Sequence, residues 1–397
     1  MVAICHLILQ QTQKQAQNAA DYLSGNVPDQ TERIEEMDWL FIIAALCIAF
    51  SNGANDNFKG FATVWGTNTL SYRQALFLAT AATVAGSIAS LILAEELVQH
   101  FSGKGLVPDT VANTPLFILS VATGAAVTIS QATKMGLPVS TTHALIGGLI
   151  GAGMAQNEGI VHLDKLANTF MLPLIASPII AIIIGVLAHK LFDMRPIASD
   201  KDCACLVTPT QTLIPGTNGS LVTKFSVPNI ILASNSSCDP IKVPIKVYIS
   251  RSMDRLHIFS AMTICFARGV NDTPKLTALL LAAQILQPTT STAVIGLAMA
   301  AGGLLFAKRV ARTMSQRITK MNHKQGLTAN LITASLVLVA SKFGFPVSTT
   351  HVSVGSIVGV GAGARTLDWN TLRNILLSWI GTLPFAAGAA WLLGSVL

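Results

Sequence analysis

Apolar residues along this chain are gathered into long runs that contain no Asp, Glu, Lys or Arg. A helix needs about 20 predominantly apolar residues to cross the hydrocarbon core of a bilayer. Runs of about that length or longer occupy residues 74–94, 110–133, 167–188, 276–307, 343–364 and 374–397. The pattern predicts an all-α polytopic membrane protein. The alternative, a large soluble helical core, would need charged outer faces that these runs lack.

The composition of the whole chain agrees with this class. Charged residues make up 11% and hydrophobic residues 51% of the 397 positions, and the mean hydropathy is +0.57. An ordinary soluble domain carries about 25% charged residues. We therefore expect a multi-pass integral membrane protein, located in the plasma (inner) membrane, with membrane lipid as its surroundings.

Two sequence motifs each occur twice, in the same order. Residues 50–59 read FSNGANDNFK, and residues 266–275 read FARGVNDTPK. The hexapeptide PVSTTH stands at 138–143 and again at 346–351. Two motifs repeated in one order at similar spacing indicate an internal duplication.

The charges of two equivalent loops predict how the two copies are oriented. Residues 95–109 hold three acids and one lysine, whereas residues 308–324 hold six basic residues and no acid. Short loops rich in Lys and Arg stay on the cytoplasmic side, so the two loops should lie on opposite sides of the membrane. We predict two inverted-topology repeats. The basic loop also supplies most of the net charge of +7, so nucleic acid is not an expected partner.

The domain boundaries follow from these repeats and from a polar stretch between them. Cys203, Cys205 and Cys238 lie in that stretch. They could form a metal or redox site, or they could be loop cysteines without such a role. Short strands are also compatible with its alternating pattern at 241–248. We predict a polar N-terminal extension at 1–37, transmembrane repeat 1 at 38–192, a cytoplasmic polar linker at 193–252 and inverted transmembrane repeat 2 at 253–397.

Each hexapeptide has the residues that start a helix inside the membrane. Pro138 and Pro346 disfavour helix just before them, and the following Ser and Thr residues are good N-caps. We predict broken helices and re-entrant half-helix hairpins whose N–H groups and hydroxyls face each other. Such donors suit a tetrahedral oxyanion, whereas the alternative is plain helix packing through small residues. The candidate binding residues are Ser140, Thr141, Thr142, Ser348, Thr349 and Thr350.

The repeated Asn-Asp pairs form the second candidate site. An ionised Asp inside a membrane helix costs about 3 kcal/mol on insertion scales, so it is usually paired or functional. Asn55, Asp56, Asn271 and Asp272 offer the oxygen ligands that Na⁺ prefers. A structural Asp bonded to a neighbouring helix is the alternative. Interrupted helices in inverted repeats are typical of secondary transporters.

These motifs together resemble a known family. GANDNFKG followed by GLPVSTTH, and GVNDTPKL followed by GFPVSTTH, are similar to the two signature copies of the inorganic phosphate transporter (PiT) family. The resemblance extends from about residue 38 to 397. It implies a cation-coupled phosphate symporter rather than an enzyme, with phosphate held by the six hydroxyl residues and coupling sodium ions by the four Asn and Asp residues. It implies no other cofactor.

Two lysines depart from the family pattern, which has Asn three residues after each Asp. Lys59 and Lys275 stand there instead, on the same helix face as the acid. They could balance the acids, replace bound cations, attract a divalent anion or favour proton coupling, or they could snorkel to an interface. His143 and His351 end the hexapeptides, as scaffold residues or as carriers of a coupling proton.

Several alternatives remain open at the level of function. The substrate could be sulfate, arsenate or bicarbonate instead of phosphate, and an anion channel is the rival mechanism. A Ser-His-Asp hydrolase is disfavoured, because Ser140 and His143 do not have the usual geometry. The expected partners are thus an oxyanion and sodium or protons, and a homodimer is left open.

Overall fold

The computed structural model describes residues 30–103, 105–156, 161–192, 203–207, 211–215, 221–225, 229–233, 245–282 and 286–396. Most of the predicted N-terminal extension lies outside these residues, as does Cys238. The first described helix begins at Gln30, before the end of that predicted extension.

The regular elements in the described part of the first half are all helices. Its helices are α1 (Gln30–Asp56), α2 (Ala62–Gly66), α3 (Tyr72–Leu93), α4 (Glu95–Phe101), α5 (Asp109–Ala112), α6 (Pro115–Met135), α7 (Thr141–Gln156), α8 (Leu163–Lys165) and α9 (Leu172–Leu191). A 3-10 turn, Lys59–Phe61, joins α1 to α2, and a π-helical stretch, Leu166–Met171, joins α8 to α9.

The second half repeats this order with a longer first helix. Its helices are α10 (Ile249–Ala282), α11 (Pro288–Phe306), α12 (Lys308–Gln316), α13 (His323–Lys342), α14 (Thr349–Ala364) and α15 (Trp369–Val396). The charge-free run at 276–307 is shared between α10 and α11, and Pro288 opens the second of them. Proline at the first helical position suits a new helix because the N–H it lacks has no intrahelical partner there.

Six helical segments in the described part of the chain are long and apolar enough to cross a membrane. They are Trp39–Gly66, Tyr72–Leu93, Pro115–Met135, Leu166–Leu191, Pro288–Phe306 and Trp369–Val396. On α9, the side chains of Leu172, Ile175, Ile179 and Ile183 are exposed at helical spacing. A large exposed apolar face of this kind needs a lipid or protein partner. The prediction of a polytopic helical membrane protein is confirmed.

The chain turns sharply just before each hexapeptide helix. Gly136 and Gly344 have φ values of 72° and 68°, and an extended segment follows each of them. Glycine reaches this left-handed region without the steric cost that a Cβ brings. The next helices begin at Thr141 and Thr349, as the prolines and hydroxyl residues predict. The result is two hairpins, α6–α7 and α13–α14.

Equivalent helices of the two halves pack in equivalent ways. A Cβ added at Gly53 in α1 would collide with the carbonyl of Met299 in α11, and one at Gly269 in α10 would collide with the carbonyl of Thr83 in α3. Glycine therefore lets the backbones approach closely at both crossings. α10 also runs antiparallel to the segment formed by the end of α1 and the 3-10 turn, because Asn52 lies near Asp272 while Gly60 packs against Ala261.

The Asn-Asp segments of the two halves differ in one respect. α1 ends at Asp56 and the chain tightens into the 3-10 turn at Lys59, so this helix is interrupted just after its Asn-Asp pair. α10 instead continues through Asp272 and past Pro274 to Ala282. The break after the first Asn-Asp pair therefore has no counterpart after the second. Its helix tolerates Pro274 even though that residue cannot donate a backbone hydrogen bond.

The described part of the linker contains five short strands. β1 (Cys203–Val207) pairs antiparallel with β4 (Asn229–Ala233) and with β5 (Ile245–Tyr248), and β2 (Gln211–Pro215) pairs with β3 (Leu221–Phe225). β5 falls within the alternating stretch noted in the sequence. Cys203 and Cys205 both lie on β1. Among the described residues, no group of three or more His, Cys, Asp or Glu could hold a metal ion.

Candidate functional site

The two hexapeptides and the two Asn-Asp pairs meet inside the helical bundle. The site residues are nearly all inaccessible to solvent, with Asn55, Asp56, Asn271 and Asp272 exposed by 2% or less. The amide of Asn55 donates to the Leu137 carbonyl at 3.0 Å, and its oxygen accepts from the backbone N–H of Val139 at 3.2 Å. Asn55 thereby satisfies the hydrogen-bonding groups of the backbone in the extended segment between α6 and α7.

Asn271 has the matching position at the second hairpin. Its amide donates to the Val347 carbonyl at 3.4 Å, and its oxygen accepts from the Ser341 hydroxyl at 3.2 Å. Buried polar groups need such partners, because an unpaired one costs about 1–3 kcal/mol. In this arrangement both asparagine oxygens are already engaged, and both residues hold the hairpins in place.

Lys59 points into the bundle rather than towards a membrane interface. Its side chain is 3% exposed. Nζ pairs with the Asp56 carboxylate, donates to the hydroxyl of Thr350 from the other half, and donates to the Val139 carbonyl at 3.0 Å. Three oxygen atoms therefore surround one ammonium group, and the snorkelling alternative does not apply to this lysine.

Lys275 repeats the arrangement with the halves exchanged. Its side chain is 1% exposed, and Nζ lies 3.8 Å from the Asp272 carboxylate. Nζ donates to the hydroxyl of Thr142 at 3.0 Å and to the Val347 carbonyl at 2.8 Å. Each lysine thus contacts the acid of its own half and a hexapeptide threonine of the other half.

The predicted hydroxyl residues are brought together but have different partners. Ser140 and Ser348 accept hydrogen bonds from the backbone N–H groups of His143 and His351, at 3.1 and 3.2 Å. These serines therefore cap α7 and α14 as N-cap side chains do. The Thr141 hydroxyl lies 3.4 Å from the Asp56 carboxylate.

One charged residue of the site was not singled out in the sequence. Arg268 is buried in α10, and its guanidinium lies 3.4 Å from the Asp272 carboxylate. It also donates to the side-chain oxygens of Asn52 at 2.5 Å and Asn57 at 3.1 Å. The available signal was a charge inside a predicted membrane helix, which suggests function, at the position that Asn52 occupies in the first copy of the repeated motif.

A model of the phosphate transporter family matches residues 10–390 of the chain. The chain belongs to that family. A protein of Pyrococcus horikoshii named as a phosphate permease is 28% identical, over 90% of this chain and 97% of its own length. The chloroplastic inorganic phosphate transporter 2-1 of Arabidopsis thaliana is 25% identical, over 89% of this chain and 71% of its own length. The predicted resemblance is confirmed.

A solved structure has the same fold as this chain. The structure titled "The sodium-dependent phosphate transporter" matches with a TM-score of 0.71 at 21% identity, over 91% of this chain and 98% of that one. Transporter relatives also agree with the expectation of a non-enzyme.

The two histidines lie between the hairpins of this phosphate transporter family member. The ring centroids of His143 and His351 are 4.5 Å apart, and the Trp379 ring lies tilted by 34° against His351 with a centroid separation of 3.8 Å. Trp379 also donates from Nε1 to the Pro138 carbonyl at 3.0 Å. The histidine pair therefore marks the place where α7 and α14 approach each other.

The charges of the site do not cancel. Lys59, Lys275 and Arg268 stand beside the carboxylates of Asp56 and Asp272, which is a formal excess of one positive charge. In a buried, low-dielectric environment such an excess attracts an anion strongly. The electrostatics of the site therefore favour an anionic ligand.

Proposed function

We propose that the protein is a secondary active transporter that carries inorganic phosphate by symport, driven by a sodium or proton gradient. One observation carries the proposal: hexapeptide threonines from the two halves lie in one buried site with a net positive charge. Family membership supports phosphate as the oxyanion. The sodium-dependent neighbour has the same fold and makes sodium a candidate driving ion.

We further propose that the two halves are inverted-topology repeats with re-entrant hairpins. The antiparallel crossing of α1 and α10 supports this, since equivalent helices of an inverted pair run in opposite directions. α7 and α14 have 16 residues each and would be about 24 Å long at 1.5 Å per residue, shorter than the hydrocarbon core. Rocking the halves against each other would open the site to alternate sides.

The threonine hydroxyls and the lysine ammonium groups would bind the phosphate oxygens. Thr142 and Thr350 donate to the Val347 and Val139 carbonyls at 3.3 and 2.8 Å. Phosphate would replace these carbonyls as the acceptor, as an oxyanion accepts stronger, charge-assisted hydrogen bonds. Ser140, Ser348, Thr141 and Thr349 would contribute from the same helix starts.

The first test is uptake of labelled phosphate into proteoliposomes, with inward sodium and proton gradients imposed separately. We expect Thr142→Val with Thr350→Val to lower uptake about tenfold or more, because a hydrogen bond to a charged group is worth about 1.5–3 kcal/mol. Thr128→Val is the matched control, since this buried hydroxyl donates within its own helix, α6, to the Gly124 carbonyl at 2.7 Å.

The same assay separates the alternatives. Competition by sulfate, arsenate and bicarbonate ranks the oxyanions, and uptake above the equilibrium level distinguishes a coupled transporter from an anion channel. An absence of phosphate uptake under both gradients would refute the proposed substrate. The plasma (inner) membrane is the proposed location, and membrane fractionation tests it.

A further inference from the structure

We propose that Lys59 and Lys275 are tethered cations that fill two oxygen cages, so that phosphate transport proceeds without Na⁺. The inference rests on the proposed phosphate transport and adds the identity of the cations in the site. It concerns two residues that depart from the family pattern.

The first cage contains only oxygen atoms. Lys59 Nζ is surrounded by the Asp56 carboxylate, the Val139 carbonyl at 3.0 Å and the Thr350 hydroxyl. A carboxylate, a carbonyl and a hydroxyl are the ligands that hard cations such as Na⁺ prefer. An ammonium ion presents the same single charge to these atoms, but it is covalently attached to the protein.

The second cage has the same three kinds of ligand in the same relation. Lys275 Nζ lies 2.8 Å from the Val347 carbonyl, 3.0 Å from the Thr142 hydroxyl and 3.8 Å from the Asp272 carboxylate. Two lysines that were buried for unrelated reasons would not share one set of ligands with the halves exchanged. The arrangement is therefore a feature of the site that both halves have in common.

A sodium ion cannot share either cage with its lysine. The acid that would bind Na⁺ is three residues before the lysine, and both side chains are buried. Two positive charges a few ångströms apart in a low-dielectric interior repel each other strongly. Because the ammonium groups stay with the protein, they provide positive charge for phosphate without being transported.

This arrangement has a direct consequence for energy coupling. A sodium gradient can drive transport only if Na⁺ binds and moves with phosphate. With both cages filled from within, we expect the driving force to be the proton gradient, which is the other of the two proposed driving gradients. Each lysine also contacts a threonine of the opposite half, so phosphate bound there would meet a cation from each half.

The test is labelled phosphate uptake by the full-length protein in proteoliposomes, with Na⁺ on both sides replaced by choline. For the wild type we expect Na⁺ to change the uptake rate by less than about twofold. For Lys59→Asn with Lys275→Asn we expect Na⁺ to raise uptake about tenfold or more, since tenfold corresponds to 1.4 kcal/mol of binding free energy.

The matched control is Lys134→Asn with Lys342→Asn. These exposed lysines lie in the last turns of α6 and α13. Their substitution removes the same charge from equivalent positions of the two halves, outside the cages. We expect this control to keep the wild-type independence from Na⁺. A second measurement covers a variant that transports poorly: Na⁺ should raise the thermal unfolding midpoint of the cage variant but not that of the wild type, because a bound ion stabilises the folded state.

The outcomes separate this inference from the proposed function. Wild-type phosphate uptake that rises about tenfold with Na⁺ overturns the tethered-cation inference and leaves phosphate transport intact. A cage variant that gains neither Na⁺-dependent uptake nor Na⁺-dependent stability also overturns it. If the wild type takes up no phosphate under any gradient, the proposed function itself fails.

Discussion

The sharpest prediction for stability concerns the buried guanidinium of Arg268. We consider Arg268→Met, which keeps a long apolar stem and removes the charge and all donors. In the native site Arg268 lies 3.4 Å from the Asp272 carboxylate and donates to the side-chain oxygens of Asn52 and Asn57. The substitution therefore removes the guanidinium partner of one carboxylate and of two amide oxygens in the protein interior.

The magnitude follows from what remains around these groups. Asp272 keeps the amide of Asn271 at 3.0 Å and the ammonium of Lys275 at 3.8 Å, so its charge is still partly balanced. Removing one partner of a buried ion pair costs about 3–5 kcal/mol. Because of the remaining partners we expect a loss at the lower end, about 3 kcal/mol. Arg268→Lys should cost less, since it keeps the charge but loses the forked donors.

The assay is denaturant unfolding of the purified protein in detergent, followed by tryptophan fluorescence. Arg255→Met is the control, because Arg255 lies exposed on the same helix, α10. A surface substitution of this kind is expected to stay within about 0.5 kcal/mol of the wild type. If Arg268→Met unfolds at the same denaturant concentration as Arg255→Met, the contacts of Arg268 do not stabilise the crossing of α1 and α10, and the reasoning is refuted.

Two further predictions test the packing of the halves. Gly53→Ala should destabilise the protein by about 1–3 kcal/mol, because its Cβ would collide with the Met299 carbonyl. The control Gly388→Ala, whose Cβ meets nothing within 4 Å, should be neutral or stabilising in the same unfolding assay. Equal changes in the free energy of unfolding for the two variants would contradict the close approach of α1 and α11. Trp379→Phe should cost about 1 kcal/mol through loss of the hydrogen bond to the Pro138 carbonyl at 3.0 Å, and an unchanged unfolding midpoint would show that this bond contributes nothing.

Local signals in the chain were enough to predict the membrane class and the helix starts. The charge-free runs need no partner to be recognised, because their length alone matches the bilayer. Pro138 and Pro346 act on their immediate neighbours, so the starts of α7 and α14 could be placed to within a residue or two. The continuous helix through Asp272 could not be read from the repeated motif, since the equivalent segment of the first half ends its helix at Asp56.

The site could be predicted only in part, for a related reason. The acids and hydroxyl residues were visible as repeated motifs, but Arg268 was not recognised. Its acceptor Asn52 lies 216 residues away in the chain. Contacts at such separations depend on how whole helices cross, and no local pattern encodes them.

The sequence by itself thus determined that this is a duplicated helical membrane protein with hydroxyl residues at two helix starts, because each of these features depends on residues that are neighbours in the chain. Only the tertiary structure decided where Lys59 and Lys275 point. A lysine stem is long enough to reach either an interface or the interior. The choice depends on the oxygen atoms that the opposite half brings within reach, here those of Thr350 and Thr142.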